Sequence, residues 1–448
     1  MLNLTKMTTA STEKFILAYE SLESNAVVKA FIEDQVKTPG TFNVKISAND
    51  DSLGHILNAY KGDLNRSLLE YFLSGQEIMN RVREIVNWRF HGFENVSSFL
   101  DFACGSGRLT RFLIQELPVE RINVCDIQAD AVKFQENTFG VKGIVSVKVP
   151  EKLPIDSKYD MILASSLFSH LPQRTFTPWL QKLTSLLNTN GVLIFSVNDE
   201  AMLHSGWVMP KSGIFFAEIS ENKAIKLQDY GTTWVNESFV KHAIDESTQG
   251  KGSYYRLKKG LWEQDLYVLV NAPDWDFSGL KLGSIKGCLD HCFYKVPNRI
   301  ILDGWTVDTK PNSGIAAIEI MINNELVKTC IPDLQRPDVA KFLQDKKYLI
   351  SGWSCEITLP ESSVLCTDML MVKVITKDGS NRVAHLSSIG AALSFEEGEE
   401  VASSESTNSP NLSAILQAKM QERSLFETLV LPARNVVHHY RQWRAKRK

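Results

Sequence analysis

Nowhere does this 448-residue chain approach the ~20 consecutive apolar residues that a membrane-spanning helix requires. The first six residues, Met1 to Lys6, lack the apolar core of a signal peptide. An excess of one charge is missing too. Lys and Arg number 49 against 52 Asp and Glu, and the net charge of −3 argues against general nucleic-acid affinity. Cysteine is sparse and odd in number, seven residues scattered along the chain. Such usage suggests reduced thiols and a cytoplasmic location, not a disulfide framework. A clustered metal-ligand set is absent. Cys288-Leu289-Asp290-His291-Cys292 has no second ligand pair nearby and reads as a β-strand. What remains is ordinary for a globular protein, 44% hydrophobic and 23% charged, and the length suits two or three domains.

Against this background, Phe99-Leu100-Asp101-Phe102-Ala103-Cys104-Gly105-Ser106-Gly107-Arg108 stands out. An apolar run ends in an acid, followed by a two-glycine turn and a helical spacing at Leu109, Phe112 and Leu113. That order predicts a buried strand, a tight turn and a helix N-terminus, the element pair that cradles nucleotide-like cofactors. Asp126 closes the next apolar run, where a carboxylate can take both hydroxyls of a ribose. A dinucleotide fingerprint wants a third glycine where Thr110 stands, which argues against a nicotinamide oxidoreductase. The turn also lacks the G-x-x-x-x-G-K-[ST] of a phosphate-cradling loop.

With these residues in order, the chain resembles the class I S-adenosylmethionine-dependent methyltransferases over residues 76–272. Tyr159 to Ser166 looks like that family's fourth strand, and Leu186 to Ser196 like its helix end, glycine turn and fifth strand. The resemblance implies an α/β Rossmann-like methyltransferase domain with a seven-stranded, mostly parallel sheet and N-terminal helices. It also implies S-adenosylmethionine as cofactor and a site at the carboxyl ends of the strands. Asp101, Ala103, Gly105, Gly107, Asp126, Ile127, Pro150, Glu151 and Ser165 are the expected cofactor-binding residues. Gly105 and Gly107 are expected to bring backbone close to the methionine part, Asp101 to orient its ammonium group, and Pro150 or Glu151 to meet the adenine. Ala103 stands where the family usually has glycine and is expected at negative φ. If the acceptor is a hydroxyl, a general base helps. His170, Glu200 and His204 are the candidates, with His170 alternatively fixing its own loop. Asp199 also follows the fifth strand, and Cys104 is expected to be a small filler in the turn.

The expected domains are a helical cap over 1–75, the methyltransferase domain over 76–272 and a linker over 273–284. An all-β sandwich over 285–390, a disordered acidic linker over 391–412 and a basic helical tail over 413–448 follow. Alternation at Ile318, Ile320 and Ile322, and the hairpin signal Lys377-Asp378-Gly379-Ser380, carry the sandwich. It resembles a β module attached to bacterial methyltransferases and glycosyltransferases, with Arg336-Pro337-Asp338-Val339-Ala340 as its most recognisable segment. The pairs Gly304-Trp305 and Gly352-Trp353 suit either core packing or stacking on sugars. The expected acceptor is a small molecule or glycan, with surface-polysaccharide modification as one setting. Five cations among Tyr440 to Lys448 suit either a peripheral membrane or protein contact or a solvated helix end. The competing reading is a non-catalytic scaffold whose methyltransferase domain is vestigial.

Overall fold

A computed structural model describes residues 22–220, 225–295, 298–364 and 367–393. The expected tail over 413–448 and the acidic linker from 394 onward lie outside the described residues.

Among the described residues, three α-helices precede the sheet: α1 (Ala26–Gln35), α2 (Asp51–Ala59) and α3 (Leu64–Phe90). Each begins at a side-chain cap. Asn25, Asp50 and Asp63 accept from the backbone N–H groups of Val28, Leu53 and Arg66 at 3.0, 2.9 and 3.1 Å. The Asn49-Asp50-Asp51 segment, which reads as a turn, is therefore a helix start. Asp50 is buried there because its second oxygen accepts from Tyr71 Oη at 2.7 Å.

Strand and helix then alternate: β1 (Phe99–Phe102), α4 (Thr110–Leu113), β2 (Ile122–Asp126), α5 (Ala129–Phe139), β3 (Lys142–Val145), β4 (Tyr159–Ala164), α6 (Gln173–Ser185) and β5 (Leu187–Asp199). A long excursion follows, with β6 (Ile214–Ala217), β7 (Thr232–Val235), α7 (Glu237–Thr248), β8 (Ser253–Leu261) and β9 (Gln264–Val270). The main sheet runs β3-β2-β1-β4-β5-β9-β8, parallel from β3 to β5 and antiparallel at β9 and β8. Against the expected seven strands there are nine. The β6–β7 hairpin adds to the carboxyl end of β5, where Asn198 pairs with Trp234. Met161 to Ala164 and Val192 to Phe195 are almost fully buried, as continuous apolar runs covered on both faces of a parallel sheet must be.

The C-terminal region holds β10 (Ile285–Lys295), β11 (Arg299–Asp308), β12 (Ile315–Ile322), β13 (Glu325–Cys330), β14 (Leu334–Gln335), α8 (Pro337–Phe342), β15 (Ile350–Thr358), β16 (Met369–Thr376), β17 (Asn381–Ser388) and α9 (Ile389–Ala392). Two antiparallel sheets result, β10-β11-β15-β14 and β13-β12-β16-β17. They close on a common core that includes Ile318, Ile320, Ile322, Leu302 and Trp353. The Gly-Trp pairs interlock: Gly304 sits opposite Trp353 and Trp305 opposite Gly352. A Cβ on Gly304 would lie 2.8 Å from the Trp353 ring, so the glycine is what lets that indole lie flat in the core. The Cys288–Cys292 segment is strand, as expected.

The outer face of the second sheet packs on the N-terminal helices. Met371, Val383 and Leu386 share one apolar cluster with α1 and α3. Lys373 Nζ meets Asp34 at 2.8 Å, and Lys310 Nζ meets Glu84 at 3.6 Å. Residues 273–284 are pinned as well, with Phe277 stacked on Trp88 at 5.4 Å. The N-terminal helices thus join the two β regions as well as covering the first.

Candidate functional site

The turn after β1 is held by residues far from it in sequence. Gly105 N–H donates to Asp126 Oδ2 at 2.9 Å, and Gln128 N–H donates to Asp126 Oδ1 at 2.9 Å. The Gly105 carbonyl accepts from Gln135 Nε2 at 2.7 Å, and Gln135 Oε1 accepts from Thr110 Oγ1 at 2.6 Å. Thr110, where a third glycine was missing, is thus part of the turn's support. The fully buried Arg111 donates to the carbonyls of Gly107 (3.1 Å), Asn43 (2.9 Å) and Lys45 (3.0 Å). It staples the segment before α2 against the turn.

The two glycines do different work. At Gly105, φ is +54° and nothing lies within 4 Å of where a Cβ would stand, so the backbone faces open space. At Gly107, φ is +86° and a Cβ would collide with the Phe139 ring. Gly107 lies between the lining residues Ser106 and Arg108 and permits α5 to pack on the turn. Ala103 departs from its expected conformation. Its φ is +58°, not negative, a left-handed conformation that costs a Cβ-bearing residue roughly 1–2 kcal/mol. The turn geometry imposes it.

A cleft of about 2990 Å³ opens at the carboxyl ends of β1, β2, β4 and β5. Asp101, Ala103, Gly105, Asp126, Ile127, Ser165, His170 and His204 all line it. Asp101 is 3% exposed, and its Oδ2 is buried without a hydrogen-bond partner. Burial, reinforced by the charge of Asp126 and offset in part by Arg108, raises its pKa to about 7. Burial also raises that of Asp126, against the N–H groups of Gln128, Gly105 and Ile127. Ser165 Oγ is buried and unpartnered too. Two raised acids and a naked hydroxyl at the ends of parallel strands can receive a cation with a polyhydroxylated neighbour.

Beyond this end, Ser196 Oγ donates to Gln264 Oε1 at 2.7 Å, and Gln264 Nε2 donates to Asn198 Oδ1 at 3.2 Å. His170 Nδ1–H donates to the Gly231 carbonyl at 2.7 Å, and its ring stacks on Tyr230 at 4.5 Å. That bond puts the proton of the neutral ring on Nδ1. His204 packs edge-on against Trp207 and Trp234 at 4.9 and 5.7 Å. Asp199 lines the cleft and pairs with Arg256 Nη2 at 2.6 Å, a cation it shares with Glu237 and Asp265.

Glu200 is exposed on a one-turn 3₁₀ segment and does not line the cleft, because the chain leaves β5 one residue earlier. Pro150 and Glu151 sit on a similar turn outside the lining; Ser146, Val147 and Lys148 occupy that wall instead. Cys104 is buried and its pKa is pushed well above the ordinary thiol value by burial, so it is a neutral filler. Sequence reasoning missed Arg108, whose guanidinium lies 4.6 Å above the Trp262 ring, and Gln264, both in the lining. Helix α2, which lies within the expected helical cap, supplies Asp51, Ser52, Gly54 and His55. Among the described residues no cluster suits a metal ion and no helix is long and apolar enough to cross a membrane.

Residues 100–193 match the family model described as a methyltransferase domain. Two curated relatives are malonyl-[acyl-carrier protein] O-methyltransferases. That of Halalkalibacterium halodurans is 26% identical over 37% of this chain and 74% of its own length. That of Acetivibrio thermocellus is 29% identical over 22% of this chain and 34% of its own length. Among solved structures, an S-adenosylmethionine-dependent methyltransferase from Clostridium acetobutylicum is 15% identical, covering 48% of this chain and 96% of that one with a TM-score of 0.32. Residues 100–193 are thus a methyltransferase domain, and around it the chain is similar to O-methyltransferases.

Proposed function

We propose that the protein transfers a methyl group to a hydroxyl or amine of a small molecule or glycan that enters the cleft from the side of the β-sandwich. The observation that carries this reading is the unpartnered, buried Asp101 Oδ2 at one end of a cleft continuous with α8 at the other. The cleft exceeds the roughly 300–1,000 Å³ of an ordinary small-ligand pocket, leaving room for an acceptor beside the cofactor.

The residues present fit the cofactor. Asp101 lacks a cation that an ammonium group would supply, and the open face of Gly105 leaves space for its methionine part. Both Asp126 oxygens hold one N–H each, which fixes the carboxylate while leaving lone pairs for two ribose hydroxyls. Ile127 and Val147 give that region an apolar wall for the adenine. When bound, the cofactor supplies a methyl on a cationic sulfur, a good leaving group. The protein's work is alignment, an effect on the order of 7–11 kcal/mol. For a hydroxyl acceptor, His170 is the base: Nδ1–H is committed to Gly231, so Nε2 is the nitrogen that takes the proton. His204 shapes the wall from within its aromatic cluster.

Titration calorimetry with S-adenosylmethionine is expected to show binding by the wild type and about a hundredfold loss, about 2.8 kcal/mol, in Asp126→Ala. Equal affinity in the variant would overturn the cofactor geometry. Labelled methyl transferred to fractionated cell extract should appear in the sugar or small-molecule fraction. Label confined to protein would overturn the acceptor class.

A further inference from the structure

The cleft does not end with the methyltransferase domain. Phe342, Gln344 and Tyr348, from α8 and the turn after it, complete its far wall, and the charge of the lining changes along the way. At the strand ends the lining carries the buried acids Asp101 and Asp126, with Arg108 and Lys148 beside them. At the far end each acid already has a cation. Glu263 pairs with Lys259 at 3.4 Å, Asp338 with Arg336 at 2.8 Å and Asp345 with Lys347 at 3.1 Å. Three lysines on the same wall have no carboxylate within ion-pair distance among the described residues: Lys258 of β8, Lys286 of β10 and Lys341 of α8.

These elements adjoin one another. Lys286 Nζ reaches the carbonyls of Lys259 and Trp262, at 3.4 and 3.3 Å, which ties β10 to the β8–β9 turn. Lys259 Nζ lies 4.4 Å over the Phe342 ring, which ties that turn to α8. Lys286 is the most telling of the three. Burial lowers its pKa, Glu77 and Glu263 oppose this from beyond ion-pair distance, and its hydrogen-bond partners are two long carbonyl contacts, a costly position for an ammonium group. Next to it, Trp262 Nε1 is a buried donor with no acceptor, and Arg108 lies over the same ring. Two buried donors here, Lys286 Nζ and Trp262 Nε1, therefore lack a close anionic acceptor.

We propose that the sandwich end of the cleft binds a phosphate group carried by the methyl acceptor, held by Lys258, Lys286 and Lys341. The acceptor is then a phosphorylated sugar or comparable phosphate ester, an assignment that rests on the methyl-transfer reading above. Ammonium groups arriving from three separate elements act as point charges that suit a tetrahedral anion, whereas a planar carboxylate is better served by an arginine fork. Phe342 and Tyr348 give the attached ring an apolar surface. The β-sandwich is on this account part of the acceptor site.

Calorimetry on the full chain with glucose 1-phosphate and with inorganic pyrophosphate, against glucose and succinate, tests it. Both phosphates are expected to bind, more weakly as salt rises, while glucose and succinate do not. The double variant Lys258→Ala/Lys341→Ala alters two exposed side chains and should weaken pyrophosphate about tenfold or more, with S-adenosylmethionine affinity unchanged. Lys286→Gln, which keeps a donor, should weaken it as well. Wild-type protein that binds the cofactor but neither phosphate, or that binds succinate equally well, overturns the phosphate site and leaves methyl transfer standing. Undiminished pyrophosphate affinity in the double variant does the same. Failure of the wild type to bind S-adenosylmethionine overturns the underlying reading instead.

Discussion

Both halves of this molecule are built on strands, yet they contribute to the cleft in opposite ways. The methyltransferase sheet is parallel through five strands, so its connections emerge at one end and place Asp101, Asp126 and Ser165 together there. The sandwich sheets are antiparallel and spend their inward residues on a core of their own around Trp353. What the sandwich offers the cleft is a six-residue helix, the turn after it, one strand lysine and Thr309. A parallel sheet therefore writes its site into the strand ends, where local sequence order reveals it. An antiparallel module writes its share into insertions that only the assembled fold brings to bear.

The contrast breaks most sharply at Trp353. Trp353→Ala should destabilise the sandwich by about 3–5 kcal/mol, through lost burial and the void left beside Gly304. Denaturant unfolding followed by tryptophan fluorescence reads that loss. Calorimetry should find S-adenosylmethionine affinity close to wild type, and a parallel fall would show that the cofactor end depends on the sandwich.

A smaller effect sharpens the acidic end. Asp101 titrates at about 7 in the folded chain against about 3.9 unfolded, so between those values the folded state holds a proton that the unfolded state does not. Stability of the free protein on this account falls as pH rises through that window. A cationic ligand favours the charged form, so cofactor binding should tighten as pH rises towards about 7, releasing close to one proton below that pH and about half a proton at it. Calorimetry in buffers of different ionisation heat measures the release, and Asp101→Asn should abolish it.

The smallest effect concerns Ala103. Ala103→Gly removes the left-handed strain but adds freedom to the unfolded chain, so the gain should not exceed about 1 kcal/mol. A thermal melt that falls instead would show that the Ala103 methyl packs usefully against its cluster.

What could be read from sequence follows the same division. Asp101, Gly105 and Asp126 lie within one short strand-turn-strand order, and β4 and β9 fall at Tyr159–Ala164 and Gln264–Val270 as their apolar runs indicate. Gly107 was legible as a glycine but not as a packing glycine, because its neighbour Phe139 is 32 residues away. Asp50 looked like a turn residue, since capping and turning draw on the same side chains. The β6–β7 hairpin is too short and interrupted to announce itself. Lys286 carries no local signal, as its meaning comes from the Trp262 carbonyl it reaches across a domain boundary.

One earlier feature sets a scale for all of this. Helix α3 runs 27 residues, about 40 Å at 1.5 Å per residue. Along its length it touches the cleft at Glu70, Ser74 and Ile78, meets Lys310 of the sandwich through Glu84, and holds the Asn190 carbonyl before the core of β5 through Arg89 at 2.9 Å. A single helix thus ties the cleft to the sandwich and to β5. The cleft, the sandwich and the main sheet are thereby referred to one element, so a shift of α3 would reach all three together.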